Sequence, residues 1–279
     1  EDVPAYSERD KAITFRDYTL YKDFVRDVLQ FPLANVMTHG IIKGKLNMLG
    51  GENETLRNWQ DNAVMYFSRG VMMWELYLSP EVLTDAEWDF LAAMMEWAYH
   101  YEEILLNTRF VGGNPYRKKT YGYFHEGKET SLLIIRNPFV APQTITFTMT
   151  DLFLVAQDNS YVIEELYPCK IIHRDPLTFS RPVTIPLQGY EVKVLRLLPS
   201  KALKYALPAG IHLQPIERKK NEVTYRVFTN PLEESCADFA GEAWLTSLRL
   251  NNRKIKADEF RRLICKGNKF NRTYTEYRF

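Results

Sequence analysis

The segment VMMWELYLSPEVLTDAEWDFLAAMMEW, residues 71–97, combines a strand signal, a turn and a helix start in one short stretch. Its apolar run over 71–79 predicts a β-strand that a Ser-Pro turn ends, because proline cannot donate to a strand ladder. Thr84 and Glu87 then fit the capping box, in which each side chain bonds the backbone amide of the other residue. The apolar residues that follow recur at helical spacing and predict a long helix over 84–106.

Two similar units precede this one. Residues 12–16 predict a strand and residues 18–30 an amphipathic helix, while residues 32–40 predict a second strand and residues 56–70 a second helix. Alternation of this kind is typical of parallel strands joined by helical crossovers. A closed (β/α)₈ barrel takes about 250 residues, and about three units occur before residue 120. We therefore predict a partial barrel segment over 1–120.

After residue 120 the pattern changes to β-branched runs separated by turn residues, which predicts an antiparallel β-sandwich over 121–200. Its predicted strands are 130–138, 143–151, 160–168, 182–187 and 190–199. Residues 201–279 predict a β-rich C-terminal extension of this domain, with strands at 221–228 and 242–250 and a short helix at 256–267. The predicted fold class is thus α/β plus all-β.

Composition and spacing narrow the function. The 36 basic and 35 acidic residues give a net charge of +1, which argues against a nucleic-acid partner because such partners require clustered positive charge. No apolar run reaches the length of about 18 residues that a membrane-spanning helix needs, so we expect no membrane partner. The three cysteines lie far apart and no metal-ligand spacing occurs, so we expect neither a metal nor a cofactor.

Several short motifs together resemble the C-terminal part of large bacterial glycoside hydrolases related to α-galactosidases. The resemblance covers roughly residues 12–200, and residues 201–279 match no family that we can name. The motifs are LYLSP (76–80), LTDAEW (83–88), GGNP (112–115), YG (121–122), RNP (136–138) and VKVL (192–195).

The resemblance implies a TIM barrel followed by an antiparallel β domain, with this chain holding barrel units six to eight. It implies a retaining mechanism with two carboxylates, a nucleophile after strand four and an acid/base after strand six. Asp17 then becomes the candidate acid/base, while the nucleophile belongs to a barrel portion that precedes Glu1. The resemblance also implies an α-linked carbohydrate substrate and favours a periplasmic or secreted protein.

Each candidate site residue also has an alternative interpretation. Asp17 can instead cap a helix or pair with Arg16, and His39, at the end of the second predicted strand, can bond backbone rather than a sugar hydroxyl. Glu75 lies in an apolar predicted strand, where a carboxylate is either functional or paired with an arginine such as Arg69. The candidate substrate-binding set adds two aromatic residues that can instead pack in the core, and it comprises Arg16, His39, Trp74, Glu75 and Tyr77.

Two hypotheses follow. In the first, the chain is the C-terminal portion of a glycoside hydrolase, inactive by itself, and Asp17, His39 and Glu75 cluster at the C-terminal ends of neighbouring parallel strands. In the second, the chain is a non-catalytic structural or carbohydrate-binding module. The position of these three side chains discriminates between the two hypotheses.

Overall fold

The computed structural model has a mixed α/β architecture in which most strand pairs are antiparallel. No helix among the described residues is both long and apolar enough to cross a membrane. The structure describes residues 7–26, 31–45, 49, 54–154, 159–203, 207–210, 212–219, 222–228, 235–236, 238–240, 248–250, 253–256 and 264–265.

Helices are concentrated in the first part of the described chain. They are α1 (Glu8–Leu20), α2 (Leu56–Phe67), α3 (Asp85–His100), α4 (Glu102–Leu105) and α5 (Met149–Leu152). The strands that precede residue 200 are β1 (Ile41–Lys43), β2 (Leu76–Leu78), β3 (Thr108–Gly112), β4 (Tyr121–His125), β5 (Ser131–Arg136), β6 (Gln143–Phe147), β7 (Tyr161–Tyr167), β8 (Ile171–Ile172), β9 (Val183–Leu187) and β10 (Val192–Pro199).

The remaining strands are β11 (Leu207–Ala209), β12 (His212–Lys219), β13 (Glu222–Phe228), β14 (Ser235–Cys236), β15 (Asp238–Ala240), β16 (Leu248–Leu250), β17 (Arg253–Ile255) and β18 (Ile264–Cys265). The strand predicted over 221–228 is therefore confirmed, and the described part of 242–250 is the strand β16. The helix predicted over 256–267 is wrong at β18; its residues 257–263 and 266–267 lie outside the described residues.

The described chain divides into two compact units. The first takes in the residues up to 147 and 184–194, and the second takes in 148–183 and the residues from 195 onward. The limits of these units differ from the predicted boundaries at residues 120 and 200, because those boundaries mark changes of element type along the chain. The predicted division into three regions stays a prediction.

In the first unit, β1, α2 and β2 form a parallel βαβ arrangement. Ile41 pairs with Leu76, and Lys43 pairs with Leu78 in the same register. Thr55 caps α2 by accepting a hydrogen bond from the Asn58 amide, and residues 58–67 are all buried. The helix predicted over 56–70 is thus confirmed. A crossover helix that is buried along its length positions the two strands side by side.

The long predicted helix over 84–106 is confirmed, with a break between α3 and α4 at Tyr101. The capping box is present as predicted: Thr84 accepts from the Glu87 amide at 3.3 Å, and Glu87 accepts from the Thr84 amide at 2.8 Å. The other Glu87 oxygen accepts from Lys43 on β1. Burial alone would raise the pKa of Glu87, but the bonds from Lys43 and Thr84 lower it.

The predicted strand over 12–16 is wrong, because these residues lie in α1. Ser7 caps this helix by accepting from the Asp10 amide, and a π-helical turn over Tyr21–Val25 continues it. The predicted helix over 18–30 therefore starts ten residues too late, since α1 begins at Glu8, and residues 27–30 lie outside the described residues. The buried side chains recur at helical spacing, but most of them are polar: Arg9, Asp10, Ile13, Thr14, Asp17 and Leu20.

The second and third predicted strands are displaced. Residues 33–35 form a short 3-10 turn rather than part of a strand, and β1 begins only at Ile41. The strand predicted over 71–79 is reduced to β2, whose residues are largely exposed. Some apolar side chains of these runs are buried from turns and loops, such as Leu33 and Val71, while Met72 and Met73 are exposed, so an apolar run was not sufficient to define a strand.

Antiparallel strand pairs occur in both units. In the first unit β4 pairs with both β3 and β5, and every residue of β4 and β5 is buried. In the second unit β7 pairs with β8, and β12 pairs with β13. The predicted antiparallel character is confirmed, whereas the sandwich arrangement stays a prediction.

The second unit also buries charge. Glu164 on β7 accepts hydrogen bonds from Arg196 at 2.9 Å, and Lys170 lies 2.8 Å from its other oxygen. Burial alone would raise the pKa of Glu164, but these two cations lower it. Two cations around one buried carboxylate satisfy a group that would otherwise be costly to desolvate.

Gly40 tests the β1–β2 arrangement. A Cβ atom at Gly40 would lie 1.8 Å from the backbone oxygen of Glu75 and 2.9 Å from the Tyr66 hydroxyl, so Gly40→Ala must push the strands apart. We expect a loss of about 1–3 kcal/mol in the free energy of unfolding, measured by urea denaturation. Gly44→Ala is the control, because the closest atom to its Cβ would be the movable Ser79 hydroxyl, at 3.2 Å, with backbone atoms only at the ordinary contact distance of 3.9 Å. Equal losses in both variants would contradict this account.

Candidate functional site

Asp17 lies on the buried face of α1 and not at the end of a strand. Its side chain is 1% exposed, and both carboxylate oxygens accept hydrogen bonds. The Tyr121 hydroxyl donates to Oδ2 at 2.6 Å, and Arg16 Nε donates to Oδ1 at 3.2 Å. Of the predicted alternatives, pairing with Arg16 is confirmed and helix capping is wrong, because Ser7 caps α1.

Arg136 on β5 connects this aspartate to the start of α1. Its Nη1 donates to Thr14 Oγ1 at 2.8 Å and to the Tyr121 hydroxyl at 3.3 Å, and its Nη2 donates to Asp10 Oδ1 at 3.1 Å. Burial alone would lower the pKa of Arg136, but Tyr121, Asp10 and Asp17 raise it. Burial, followed by the charge of Asp17, raises the pKa of Tyr121. The tyrosine therefore acts as a neutral donor in this network.

Tyr66 on α2 links Arg16 to Glu75. The Arg16 guanidinium lies 5.6 Å from the centre of the Tyr66 ring, and Arg16 Nη1 donates to Asn62 Oδ1 at 3.0 Å. The Tyr66 hydroxyl accepts from the Glu75 amide at 2.8 Å. Burial is the main cause that raises the pKa of Tyr66, so this hydroxyl stays protonated and retains a proton to donate.

Arg69 follows α2 and is also buried. Its Nη1 donates to the Leu33 carbonyl at 3.3 Å and its Nη2 to Thr38 Oγ1 at 3.2 Å, while its own carbonyl accepts from Thr108 Oγ1 at 2.6 Å. Burial lowers the pKa of Arg69, and the charges that act on it most include Tyr123 and Arg16. This arginine is held by neutral acceptors rather than by a carboxylate, so the expected Glu75–Arg69 pair is not formed.

His39 and Glu75 are close to each other but lie at the opposite strand ends from those expected. His39 Nδ1 is 3.6 Å from Glu75 Oε2, and the two side chains are 86% and 17% exposed. His39 precedes β1 and Glu75 precedes β2, so both lie at the N-terminal ends of the parallel strands. The expectation of a cluster at the C-terminal ends is wrong because both strands begin later in the sequence than predicted.

The two aromatic candidates have different environments. The Trp74 ring contacts Phe67 at 4.9 Å and Tyr99 at 4.8 Å between centroids, and its Nε1 donates to the Val71 carbonyl. Tyr77 is 51% exposed on β2, so core packing does not explain its presence. Tyr99 is 60% exposed and extends the aromatic surface of Trp74.

The structure thus brings Arg16, Asp17, His39 and Glu75 into one chain of contacts through Tyr66. Several of the partners that build it were not indicated by the sequence, and they are Asn62, Tyr66, Tyr121, Tyr123 and Arg136. Arg69 was expected to pair with Glu75 and instead bonds neutral oxygens. The helical spacing of polar residues along α1 is a signal that could have located the buried side of this cluster. Among the described residues, no group of three or more His, Cys, Asp or Glu side chains is placed to hold a metal ion.

The arrangement offers two kinds of chemistry. Its interior presents guanidinium, amide and phenol groups that donate hydrogen bonds in a desolvated environment. Its outer edge combines the Trp74–Tyr99 ring pair with the Glu75 carboxylate and the His39 imidazole. Such an edge fits a polar ligand that also has an apolar face.

Comparison with known proteins gives weak likenesses. No protein-family model and no curated protein match the chain. Similar solved structures include a candidate α-N-acetylgalactosaminidase from Bacillus halodurans, with 13% identity, a TM-score of 0.37 and coverage of 50% of this chain and 31% of that one. Another is α-galactosidase I from Mortierella vinacea, with 13% identity, a TM-score of 0.35 and coverage of 53% and 37%.

An α-amylase from Geobacillus thermoleovorans complexed with acarbose is 11% identical, with a TM-score of 0.31 and coverage of 43% of this chain and 24% of that one. The chain spans about a third of the length of the first of these structures. TM-scores below 0.5 at such identities carry no argument about the fold or the activity of this chain. All three of these solved structures carry the names of glycosidases.

Tyr121→Phe tests the buried network. The variant removes the donor to Asp17 Oδ2 and one acceptor of Arg136, and it leaves a buried carboxylate oxygen without its shortest hydrogen bond. We expect a loss of about 1.5–3 kcal/mol in the free energy of unfolding, measured in urea at neutral pH. Tyr18→Phe is the control, since the Tyr18 ring stacks on Tyr116 and the substitution preserves that contact. A near-neutral Tyr121→Phe would show that the network contributes little.

His125 gives the region a pH dependence. It is fully buried, its Nδ1 lies 3.2 Å from the Leu105 carbonyl and 3.1 Å from Thr108 Oγ1, and burial lowers its pKa to about 4. The folded state therefore binds fewer protons than the unfolded state, in which histidine titrates near 6.5. The stabilisation is complete above pH 6.5 and is lost as the pH falls toward 4.

We expect a stability loss on the order of 3 kcal/mol across this window. The measurement is the free energy of unfolding in urea at several pH values, for the wild type and for His125→Gln. At neutral pH the variant should have a lower free energy of unfolding than the wild type. Its free energy of unfolding should then fall less steeply as the pH is lowered from neutral toward 4. Parallel slopes for the two proteins would refute the assignment.

Proposed function

We propose that this chain is a non-catalytic part of a glycoside-hydrolase-like protein that acts on α-linked sugars, and that it contributes a carbohydrate-contacting surface. The observation that carries the proposal is the edge formed by Trp74, Tyr99, Glu75 and His39. Its ring pair is 4.8 Å apart, and its carboxylate and imidazole are 3.6 Å apart. Sugars stack their C–H faces on aromatic rings and bond their hydroxyls to such polar groups. The sequence motifs quoted above support the same class of protein.

The catalytic steps of such a protein would be performed by groups outside the described residues. A retaining glycosidase needs two carboxyl groups about 5–5.5 Å apart, one of which reaches the glycosidic oxygen. Asp17 is 1% exposed and both of its oxygens are already bonded, by Tyr121 and Arg16. We therefore propose a structural role for Asp17 and place the acid/base and the nucleophile on a barrel portion outside residues 1–279.

The β1–β2 pair supports an association with further parallel strands. Among the described residues these two strands pair with each other alone, and β2 is largely exposed. Parallel sheets are almost always covered on both faces and rarely stop at two strands. Additional βα units from the complete protein would extend this sheet and cover β2, as in the partial-barrel prediction.

Tryptophan fluorescence tests carbohydrate binding by this chain. We expect titration with an α-galactoside or an α-glucan oligosaccharide to give a saturable change, because Trp74 lies on the proposed surface. Tyr99→Ala should weaken or abolish the change, since Tyr99 is the exposed partner of the Trp74 ring. Phe15→Ala is the control, because Phe15 is an aromatic residue 70% exposed on α1, and the ring contacts of Trp74 are to Phe67 and Tyr99. An unchanged Tyr99→Ala titration would place any binding elsewhere.

Hydrolysis assays address the catalytic part of the proposal. We expect no release of the aryl group from aryl α-glycosides by the 279-residue chain. Saturable hydrolysis that disappears in Asp17→Asn would overturn the non-catalytic assignment and restore Asp17 as the acid/base. Loss of hydrolysis through unfolding is separated from loss of the acid by measuring the urea unfolding curve of the same variant.

A further inference from the structure

The helix α3 carries a second apolar row of side chains besides its buried face. At about 100° per residue, the members of this row lie within about 60° of one another around the helix, and the centre of the buried face lies roughly 130° away. The apolar row is Trp88, Ala92, Met95 and Tyr99. The buried face is Glu87, Phe90, Leu91, Met94, Trp97 and Ala98. The apolar row is therefore separate from the core contact of α3.

The side chains of the apolar row are accessible. Trp88 is 36% exposed and Tyr99 is 60% exposed, while Ala92 is exposed and Met95 is half-buried. With a rise of about 1.5 Å per residue, the row extends about 16 Å along α3. A helix at a protein surface normally has polar residues away from its core face. A continuous apolar row outside that face therefore marks a surface for another molecule.

Acidic side chains line one side of the apolar row. They form an acidic row of Asp85, Asp89 and Glu96, which lies about 70° from the apolar row around the helix. All three residues are exposed, and none of them forms an ion pair with a residue that the structure describes. The buried Glu87 on the same helix, by contrast, is bound by Lys43. The acidic row is thus available to a partner.

The negative charge extends beyond the acidic row. No Lys or Arg occurs in the sequence between Arg69 and Arg109, and α4 adds the exposed Glu102 and Glu103. The whole chain nevertheless has a net charge of +1. Acidic charge is therefore concentrated in this segment of the chain, and it favours a partner that carries positive charge.

The spacing of the apolar row fits a partner helix. Its members are four, three and four residues apart, which is the spacing of the seam through which two helices pack. Ala92 is the small residue between Trp88 and Met95, so a second helix can approach the backbone closely at that point. Charged residues beside such a seam select the partner, because opposite charges attract across the contact and like charges repel.

A second copy of this chain is a poor occupant of the apolar row. Two α3 helices that pack antiparallel through their apolar rows place both acidic rows on the same side of the contact, where like charges repel. A helix with Lys or Arg beside its apolar seam places opposite charges there instead. The charge pattern therefore favours a different, basic partner.

We propose that α3 binds an amphipathic helix of another protein. The partner packs an apolar seam on Trp88, Ala92 and Met95 and sets Lys or Arg side chains against the acidic row. Tyr99, at the end of the apolar row, also belongs to the proposed carbohydrate edge, but neither proposal requires the ligand of the other. The contact covers about three helical turns, so we expect a weak, reversible complex.

Binding of designed peptides to the complete 279-residue chain tests the proposal. The probe is a fluorescein-labelled peptide of three heptads with Leu at positions a and d and Lys at positions e and g. The comparison peptide has Glu in place of Lys. We expect saturable binding of the Lys peptide by fluorescence anisotropy, about tenfold or more tighter than binding of the Glu peptide. The affinity for the Lys peptide should fall as the NaCl concentration rises.

Ala92→Gln is the decisive variant, because it places a polar amide in the apolar row at an exposed position and keeps a good helix former there. We expect it to bind the Lys peptide about tenfold more weakly than the wild type does. Ala86→Gln is the matched control, since Ala86 is also exposed on α3 but lies about 150° from the apolar row. It should bind as the wild type does, and urea unfolding curves verify that both variants are folded.

Neutralising the acidic row tests the contribution of charge. We expect the double variant Asp89→Asn, Glu96→Gln to bind the Lys peptide about two- to fivefold more weakly and with a smaller dependence on salt. Glu129→Gln is the charge control, since Glu129 is exposed on the connection between β4 and β5. Its affinity for the Lys peptide should equal that of the wild type.

Several results would overturn the proposal. Absence of saturable binding of the Lys peptide, or equal binding of both peptides, would remove the charge-selected helix partner. Binding that Ala92→Gln retains would place the peptide elsewhere. Light scattering that shows a dimeric wild type and a monomeric Ala92→Gln would assign the apolar row to a second copy. Release of the peptide by an α-galactoside would assign it to carbohydrate, whereas failure of the carbohydrate titration alone contradicts only the proposed function.

Discussion

The first unit depends on the contact between Arg136 and the buried face of α1. This arginine on β5 bonds Asp10 and Thr14 of the helix and Tyr121 of β4, and Tyr121 in turn bonds Asp17. One carboxylate, a hydroxyl and a phenol bond this guanidinium, so a buried carboxylate opposes its charge and its Nη donors are satisfied. Breaking such a buried pair from one side costs about 3–5 kcal/mol, since it leaves an unpaired charge in the interior. The network therefore fixes where α1 lies on the strands.

The same network explains which contacts each residue of the candidate site makes. Both carboxylate oxygens of Asp17 accept hydrogen bonds in the interior, and Arg16 also contacts Asn62 and the Tyr66 ring. Tyr66 then bonds the backbone of Glu75 and positions it beside His39 at the edge. Asp17, Glu75 and His39, the candidates from the sequence, are thus connected through contacts that hold the fold together. The Trp74–Tyr99 ring pair remains at the outer edge, beside neither of the two buried aspartates.

Local sequence was a good guide wherever local interactions define the element. The helices α2 and α3 begin at threonine caps, and each carries apolar residues at helical spacing, so both signals lie within the segment itself. Strands β5, β7, β9 and β10 fall within the predicted runs, because each run is rich in β-branched residues and turn residues separate it from the next. The buried polar face of α1 contradicted the apolar pattern on which the strand prediction over 12–16 rested.

The sequence by itself therefore determined the helix starts, the antiparallel character of the later strands and the near-neutral charge. Only the tertiary structure decided that α1 is a helix with a polar interior face, and that His39 and Glu75 lie before their strands. The physical reason is that a buried charge is tolerable only beside its partner. Arg136 on β5, which bonds Asp10, and Tyr121 on β4, which bonds Asp17, each lie more than a hundred residues away along the chain. No local pattern in the chain contains that information.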